Sequence, residues 1–254
     1  MTQATALLLL PGLMNDERVW RAIVAALPAG RHVHIAPTHK SSSVEEMARE
    51  AIAAMPAGRF ALAGFSLGGY MALAICRLAP ERIAGLGLLD TGARADDDDA
   101  KRTRMRLVQA IRDGAATLDN IAVSFAARVV HPARLEDKEL LALLADMAST
   151  VGSDGFAKQQ QAAMNRPDSR DLLTGLRVPA LVLCGREDQI TPLALSEEMA
   201  SLLPNAELVT VERSGHMTTI EQPAAVTAAV LRWLERVDAL RAHETADSAA
   251  AKLD

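Results

Sequence analysis

The chain has few rings: two Trp, one Tyr and four Phe in 254 residues. So small a number argues against a slot lined by aromatic side chains and leaves the core to Leu, Val, Ile, Ala and Met. It holds only two cysteines, Cys76 and Cys184. Both sit in apolar runs far apart in sequence, and they read as buried thiols of a reducing compartment rather than a disulfide framework. Positive charge is not in excess, with 27 Lys plus Arg against 32 Asp plus Glu and a net charge of −5. Tight binding to a phosphate backbone needs a basic face, so nucleic acid is excluded as the expected partner. Long apolar runs are missing too. Ala4–Leu10 is the only one near the start and no Lys or Arg precedes it, so neither a signal peptide nor a membrane span is expected, and a cytoplasmic protein is. What the chain does have is 50% hydrophobic and 23% charged residues, enough for a large packed core and too apolar for disorder over most of its length.

The apolar residues come in short runs: Ala6–Leu10, Val33–Ala36, Phe60–Phe65, Ile83–Leu89, Ala180–Cys184 and Leu208–Val211. Continuous runs, as opposed to alternating ones, mark strands covered on both faces, and hence a parallel sheet. Between them, Val19–Leu27, Val44–Met55, Leu67–Leu78, Leu193–Leu203 and Pro223–Leu240 repeat apolar residues at helical spacing. Strand alternating with helix predicts a doubly wound α/β sheet with right-handed crossovers. The alternation stops from about Arg94 to Leu173, where Asp96–Asp113, Ala115–Val129, Leu135–Thr150 and Ser153–Asn165 all read as helix. The expected organisation is a sheet domain over 1–93 and 174–242, a helical cap inserted over 94–173 and an unstructured tail over 243–254.

The third run leads into Gly64-Phe65-Ser66-Leu67-Gly68-Gly69, a G-x-S-x-G between a predicted strand and a predicted helix. Small residues on both sides let the chain reverse sharply, lifting a serine hydroxyl above the sheet edge beside the amides of a helix N-terminus. Two later strands also end on polar loops: Gly185-Arg186-Glu187-Asp188 and Glu212-Arg213-Ser214-Gly215-His216. Open parallel sheets gather reactive groups at that edge. The order Ser66, Asp188, His216 is that of a nucleophile, an orienting acid and a general base.

With these motifs in order, the sequence resembles the α/β-hydrolase superfamily in its small, cap-containing esterase branch. Leu-Pro-Gly-Leu at 10–13, Ala-Pro-Glu-Arg-Ile at 79–83 and Ser-Gly-His at 214–216 add to the resemblance, which covers about Leu7 to Leu234. It implies an α/β-hydrolase fold, a mainly parallel sheet of about six strands flanked by helices. It also implies an oxyanion hole formed by the backbone N–H groups of Leu13 and Leu67, with Met14 beside the first. Pro11 departs from the family, which usually has histidine there, and the antiparallel hairpin that commonly opens the family is missing.

The residues support rival assignments at several points. Asp90, closing the Ile83–Leu89 run, competes with Asp188 for the acid, and Glu187 is a weaker rival. His39 and His131 are candidates to approach the pocket, while His32, His34 and His243 suit structural or surface roles. The charge run from Asp96 to Arg106 reads as a solvated helix with i, i+4 pairs. Arg166 reads either as a contact to a carboxylate-bearing substrate or as a salt bridge to Asp168 or Asp171. The expected pocket residues are Met14, Phe65, Phe125, Met147, Phe156 and Met217. No cluster has the spacing of a metal site and no phosphate loop is present, so neither metal nor cofactor is expected. The function expected is cleavage of a small-molecule carboxylic ester of a small or medium apolar acyl group through an acyl-enzyme. A lactonase, a carbon–carbon bond hydrolase, a lyase and a receptor retaining the pocket are the alternatives.

Overall fold

The computed structural model describes residues 4–250, with the backbone alone for 245–250. Six strands form one sheet: β1 (Leu7–Leu10), β2 (Val33–Ile35), β3 (Phe60–Phe65), β4 (Ile83–Leu89), β5 (Ala180–Gly185) and β6 (Ala206–Val211). Their order is β2-β1-β3-β4-β5-β6 and every neighbouring pair is parallel. The first strand therefore lies one in from an edge; the chain completes that edge with β2 and then crosses back to build the rest of the sheet in sequence. β1, β3, β4 and β5 are buried throughout, as their unbroken apolar sequences require, whereas the edge strands β2 and β6 are only partly covered.

Alternate strand residues feed two cores. Leu8, Leu10, Phe60, Leu62, Leu86, Leu88 and Val182 pack on one side, against α2 (Val44–Ala54), α3 (Leu67–Leu78), α7 (Arg170–Gly175) and α8 (Leu193–Leu202). Leu7, Leu9, Ala61, Ala63, Leu181 and Leu183 face the other, against α1 (Arg21–Ala26) and α10 (Pro223–Ala250). Each fully buried Leu or Val contributes about 1.5–3 kcal/mol. Both Trp residues sit in the second layer's core at 0% exposure, and Trp233 Nε1 donates to Pro179 O at 3.0 Å. The scarce rings thus serve packing first.

Between β4 and β5 the described chain adds no strand. It forms α4 (Asp98–Arg112), α5 (Leu118–Val129), α6 (Lys138–Asn165) and then α7, which had no counterpart in the periodicity and whose Leu173 packs into the first core. The two helical segments expected around residue 151 are both present within α6 and meet at a kink at Gly152, where φ 71° and ψ 168° are not helical. α9 (Thr218–Glu221) is a single turn. α10 runs on to Ala250, so the tail expected from His243 begins inside a helix, and 251–254 lie outside the described residues. Cys76 and Cys184 are both free and buried, and burial pushes the Cys76 thiol up to about 12.

Candidate active site

The turn after β3 is as tight as its glycines suggest. A Cβ on Gly64 would lie 2.2 Å from Gly68 O, and one on Gly68 would lie 2.0 Å from Leu10 O. Only hydrogen fits at either place. Ser66 between them takes φ 53°, ψ −116°, a left-handed conformation that costs a non-glycine residue roughly 1–3 kcal/mol. It occupies the N-cap of α3 yet its side chain makes no capping bond, which leaves Oγ free to point elsewhere. His216 Nε2 lies 2.9 Å from that oxygen. On the far side of the ring, His216 Nδ1 lies 2.8 Å from Asp188 Oδ2. The three side chains come from the ends of β3, β5 and β6, adjacent in space because the strands are parallel and end on one edge.

Asp188 is fixed by its own loop. Its Oδ1 accepts from the N–H groups of Ile190 at 2.8 Å and Thr191 at 3.0 Å, and its Oδ2 from Thr191 Oγ1 at 2.7 Å. Burial by itself would raise this carboxyl, but the charge and hydrogen bond of His216 and the Thr191 donors outweigh it and hold Asp188 below the usual range. Asp90 stands nearby and goes the other way. It is fully buried, accepts from Gly185 N at 2.9 Å and pairs with Thr218 Oγ1. Burial and then the negative charge of Asp188 push it well above the usual range. The hydrogen bond to His216 is made by Asp188, while Asp90 braces the strand ends behind it. Glu187 accepts instead from Ser214 N at 3.0 Å.

The turn after β1 presents a free donor. Leu13 N–H makes no hydrogen bond to a described residue, whereas Met14 N–H donates to Gln159 Oε1 at 2.9 Å. Leu67 N–H, first in α3, has no acceptor within the helix. Met14 takes φ 57°, and the buried Gln159 amide also donates to Gly12 O at 3.3 Å and Thr38 Oγ1 at 3.1 Å, clamping this strained turn from α6.

Above Ser66 opens a cavity of about 500 Å³ whose walls come from these turns and from α4, α5 and α6. A hydrogen-bonded Ser-His-Asp set below a helix-walled cavity, in a six-stranded parallel sheet, is accompanied by a family match over residues 5–223. The chain belongs to the alpha/beta hydrolase fold family. It is 27% identical over 252 residues, 91% of this chain and 94% of the relative, to a putative carbamate hydrolase RutD of Pseudomonas savastanoi pv. phaseolicola. It is 29% identical over 184 residues to a 2-hydroxy-6-oxononadienedioate/2-hydroxy-6-oxononatrienedioate hydrolase of Burkholderia vietnamiensis, covering 70% of this chain and 63% of that one. Among solved structures, a malate-bound thermophilic esterase of Thermogutta terrifontis superposes with a TM-score of 0.82 at 29% identity, over 94% of this chain and 92% of that one.

In this alpha/beta hydrolase, Leu13, Met14, Leu67, Phe125 and Met217 line the cavity together with Ser66 and His216. Three expected pocket residues do not. Phe65 is fully buried below the site with its ring 5.4 Å from that of His216, because the residue preceding Ser66 still belongs to the strand. Met147 is buried in the second core, and Phe156 packs against Met14 and Ala148 under the wall. His39 and His131 also lie outside the lining: His39 packs at Gly155, and His131 Nδ1 accepts from Ala133 N at 3.1 Å. Arg166 meets neither Asp168 nor Asp171. It pairs with Asp96 at 2.7 Å and stacks over Tyr70, 3.8 Å from the ring centre. Asp96 is accordingly a buried ion-pair partner at 5% exposure instead of a solvated residue of the charge run.

Sequence reasoning missed Gln159, Thr191 and Glu221. Glu221 accepts from Gly215 N at 2.8 Å and from His131 N at 2.6 Å, and so holds the His216 loop against the chain after α5. Only Thr191 carried a sequence signal, being in the loop that holds Asp188. Asp90, Cys184 and Asp188 place potential ligand atoms within 4.8 Å of one another. Their carboxyl oxygens are already engaged by His216, Thr191, Ile190, Gly185 and Thr218, and burial pushes the Cys184 thiol up, so the donor chemistry fits a hydrogen-bond cluster better than a cation. Among the described residues, no helix is long and apolar enough to cross a membrane.

Proposed function

We propose that this protein is a serine hydrolase that cleaves carboxylic esters through an acyl-enzyme. The observation that carries the reading is the continuous hydrogen-bond chain Ser66–His216–Asp188 at the floor of a largely aliphatic cavity. A serine hydroxyl becomes an effective nucleophile when a base takes its proton as it attacks, and His216 Nε2 is in reach to do so. Asp188, ionised and held by Thr191 and Ile190, keeps the Nδ1 proton facing it and stabilises the imidazolium that forms. The carbonyl oxygen that becomes negative is received by the N–H groups of Leu13 and Leu67. The proton on His216 then passes to the leaving alcohol, and a water activated in the same way releases the acid. Leu, Met, Ala and Ile around the cavity suit a small or medium apolar acyl chain.

The test is direct. An organophosphonate probe should label Ser66, as located by peptide mass mapping, and p-nitrophenyl esters from acetate to octanoate should be turned over by the wild type but not by Ser66→Ala. Folded wild-type protein that neither takes the label nor cleaves any of these esters overturns the reading. Thioesters, lactones and carbamates in the same panel rank the bond types.

A further inference from the structure

Ser66, His216 and the two backbone donors account for the floor of the cavity and leave part of its wall without a task. Arg104 and Arg166 share a single carboxylate, with Asp96 Oδ2 at 2.6 Å from Arg104 Nε and Asp96 Oδ1 at 2.7 Å from Arg166 Nη1. Arg104 is 21% exposed, Arg166 10% and Asp96 5%. No second carboxylate pairs with either guanidinium among the described residues; Arg166 also donates to Ala163 O at 2.7 Å and Arg94 O at 3.0 Å and lies over the Tyr70 ring, so the charge left facing the cavity is that of Arg104. The sign runs against the net charge of the chain, −5. Among the described residues no Asp or Glu lines the cavity, and Arg128, exposed on α5 and with no ion pair to a described residue, adds a second positive charge to its lining.

Donors are also left over. Arg104 Nη1 donates to Gln160 Oε1 at 2.7 Å, but Arg104 Nη2 makes no hydrogen bond to a described residue. Gln160 is 2% exposed and lines the cavity, yet its Nε2 donates to no described residue and is not sealed off from open space. A buried amide that spends its oxygen on an arginine and keeps its NH₂ free is arranged to meet an acceptor. Arg104 Nη2 and Gln160 Nε2 together suit a planar carboxylate, which would also complete the charge of the Arg104–Asp96–Arg166 cluster.

We propose that this wall is a carboxylate subsite, and that the substrate is an ester bearing a carboxylate group remote from the bond that is cleaved. The proposal rests on the hydrolase reading of Ser66 for what is cleaved, but not for what is bound. Two esters separate the cases: the p-nitrophenyl half-ester of adipic acid and p-nitrophenyl hexanoate, equal in acyl length and different in charge. Arg104→Met keeps the aliphatic stem and leaves Asp96 paired with Arg166. Gln160→Glu keeps the acceptor for Arg104 but supplies the cluster with a carboxylate of its own. The ratio of kcat/KM for the half-ester over the hexanoate should fall ~10- to 100-fold in Arg104→Met, the range of a lost charged hydrogen bond, and in the same direction in Gln160→Glu. Calorimetric titration of Ser66→Ala with adipate should show binding that disappears when Arg104→Met is added. A ratio unchanged within about threefold in both variants, while Ser66-dependent turnover persists, overturns the subsite and leaves the hydrolase. Adipate binding that depends on Arg104 in a protein that neither takes the phosphonate label nor cleaves any ester of the panel upholds the subsite and overturns the hydrolase.

Discussion

Two carboxyl groups crowd the ends of β4 and β5, and their surroundings push their proton affinities in opposite directions. Asp188 faces His216 and three donors of its own loop and is held below the usual carboxylate range, whereas Asp90 faces burial and the charge of Asp188 and is pushed well above it. Asparagine can imitate a protonated carboxyl but not an ionised one that fixes a histidine tautomer. Asp188→Asn should therefore lower kcat by about 10³- to 10⁴-fold. Asp90→Asn, whose oxygen can still accept from Gly185 N and whose amide can meet Thr218 Oγ1, should stay within about threefold of wild type. Steady-state kinetics on one p-nitrophenyl ester, with circular dichroism as a check of folding, decides it. A larger loss in Asp90→Asn would transfer the acid role to Asp90. Asp90 directly closes an apolar run and Asp188 lies in the polar loop Gly185-Arg186-Glu187-Asp188, a setting that favours Asp188 in the sequence without deciding the matter. In the fold Asp90 takes φ 46°, a conformation the residue type does not announce, and meets Gly185 N and Thr218 Oγ1 while Asp188 meets the histidine.

At the scale of elements, α6 reaches into the site through one amide. Gln159 accepts from Met14 N and donates to Gly12 O and Thr38 Oγ1, so a helix of the inserted segment holds the turn that presents Leu13 N–H. Met14 at φ 57° is strained and would relax without this clamp. Gln159→Met should lower kcat by ~10- to 100-fold with KM changed less than about threefold, because a displaced oxyanion donor weakens the transition state more than the ground state. Gln159→Glu, which still accepts from Met14 N–H, should recover part of that loss. A fall in thermal stability with kcat unmoved would reduce Gln159 to a packing role. The strands and most helices were legible to within a few residues, α7 and the last turns of α10 excepted, since burial on both faces writes continuous apolar runs and α3 begins at a Ser in a glycine-rich turn. The clamp was not legible. A Gln inside an amphipathic stretch looks the same whether it faces solvent or a turn 147 positions away, and only the packing of α6 over the sheet edge decides which.

For the molecule as a whole, the balance of buried carboxyls sets how stability follows pH. Asp188 and Asp238 are lowered in the fold: burial opposes this in both, but His216 and Thr191 stabilise the first as an anion, and Arg31 at 2.6 Å and Thr5 the second. Their contribution is present above the unfolded carboxylate range, near pH 4, and is lost as pH falls through their folded values. Asp90 and Glu221 are raised, chiefly by burial. Their folded forms hold protons that the unfolded chain has released, so this contribution is full below about pH 4 and is lost as pH rises toward their folded values. Groups facing Asp90 include Asp188, Glu221 and the buried thiol of Cys184, none of which offers it a positive charge. Replacing Asp90 by Asn removes one raised carboxyl and nothing from the lowered pair. The Tm of Asp90→Asn relative to wild type should therefore rise as pH increases above the unfolded carboxylate range and level off once pH passes the folded value of Asp90, by about 2–4 °C for each kcal/mol recovered in a chain of this size. The gap should stop changing below about pH 3, where Asp90 is protonated folded and unfolded alike. Differential scanning fluorimetry across both ranges measures the gap, and a Tm difference that is flat or shrinks with increasing pH would show that Asp90 is ionised in the fold.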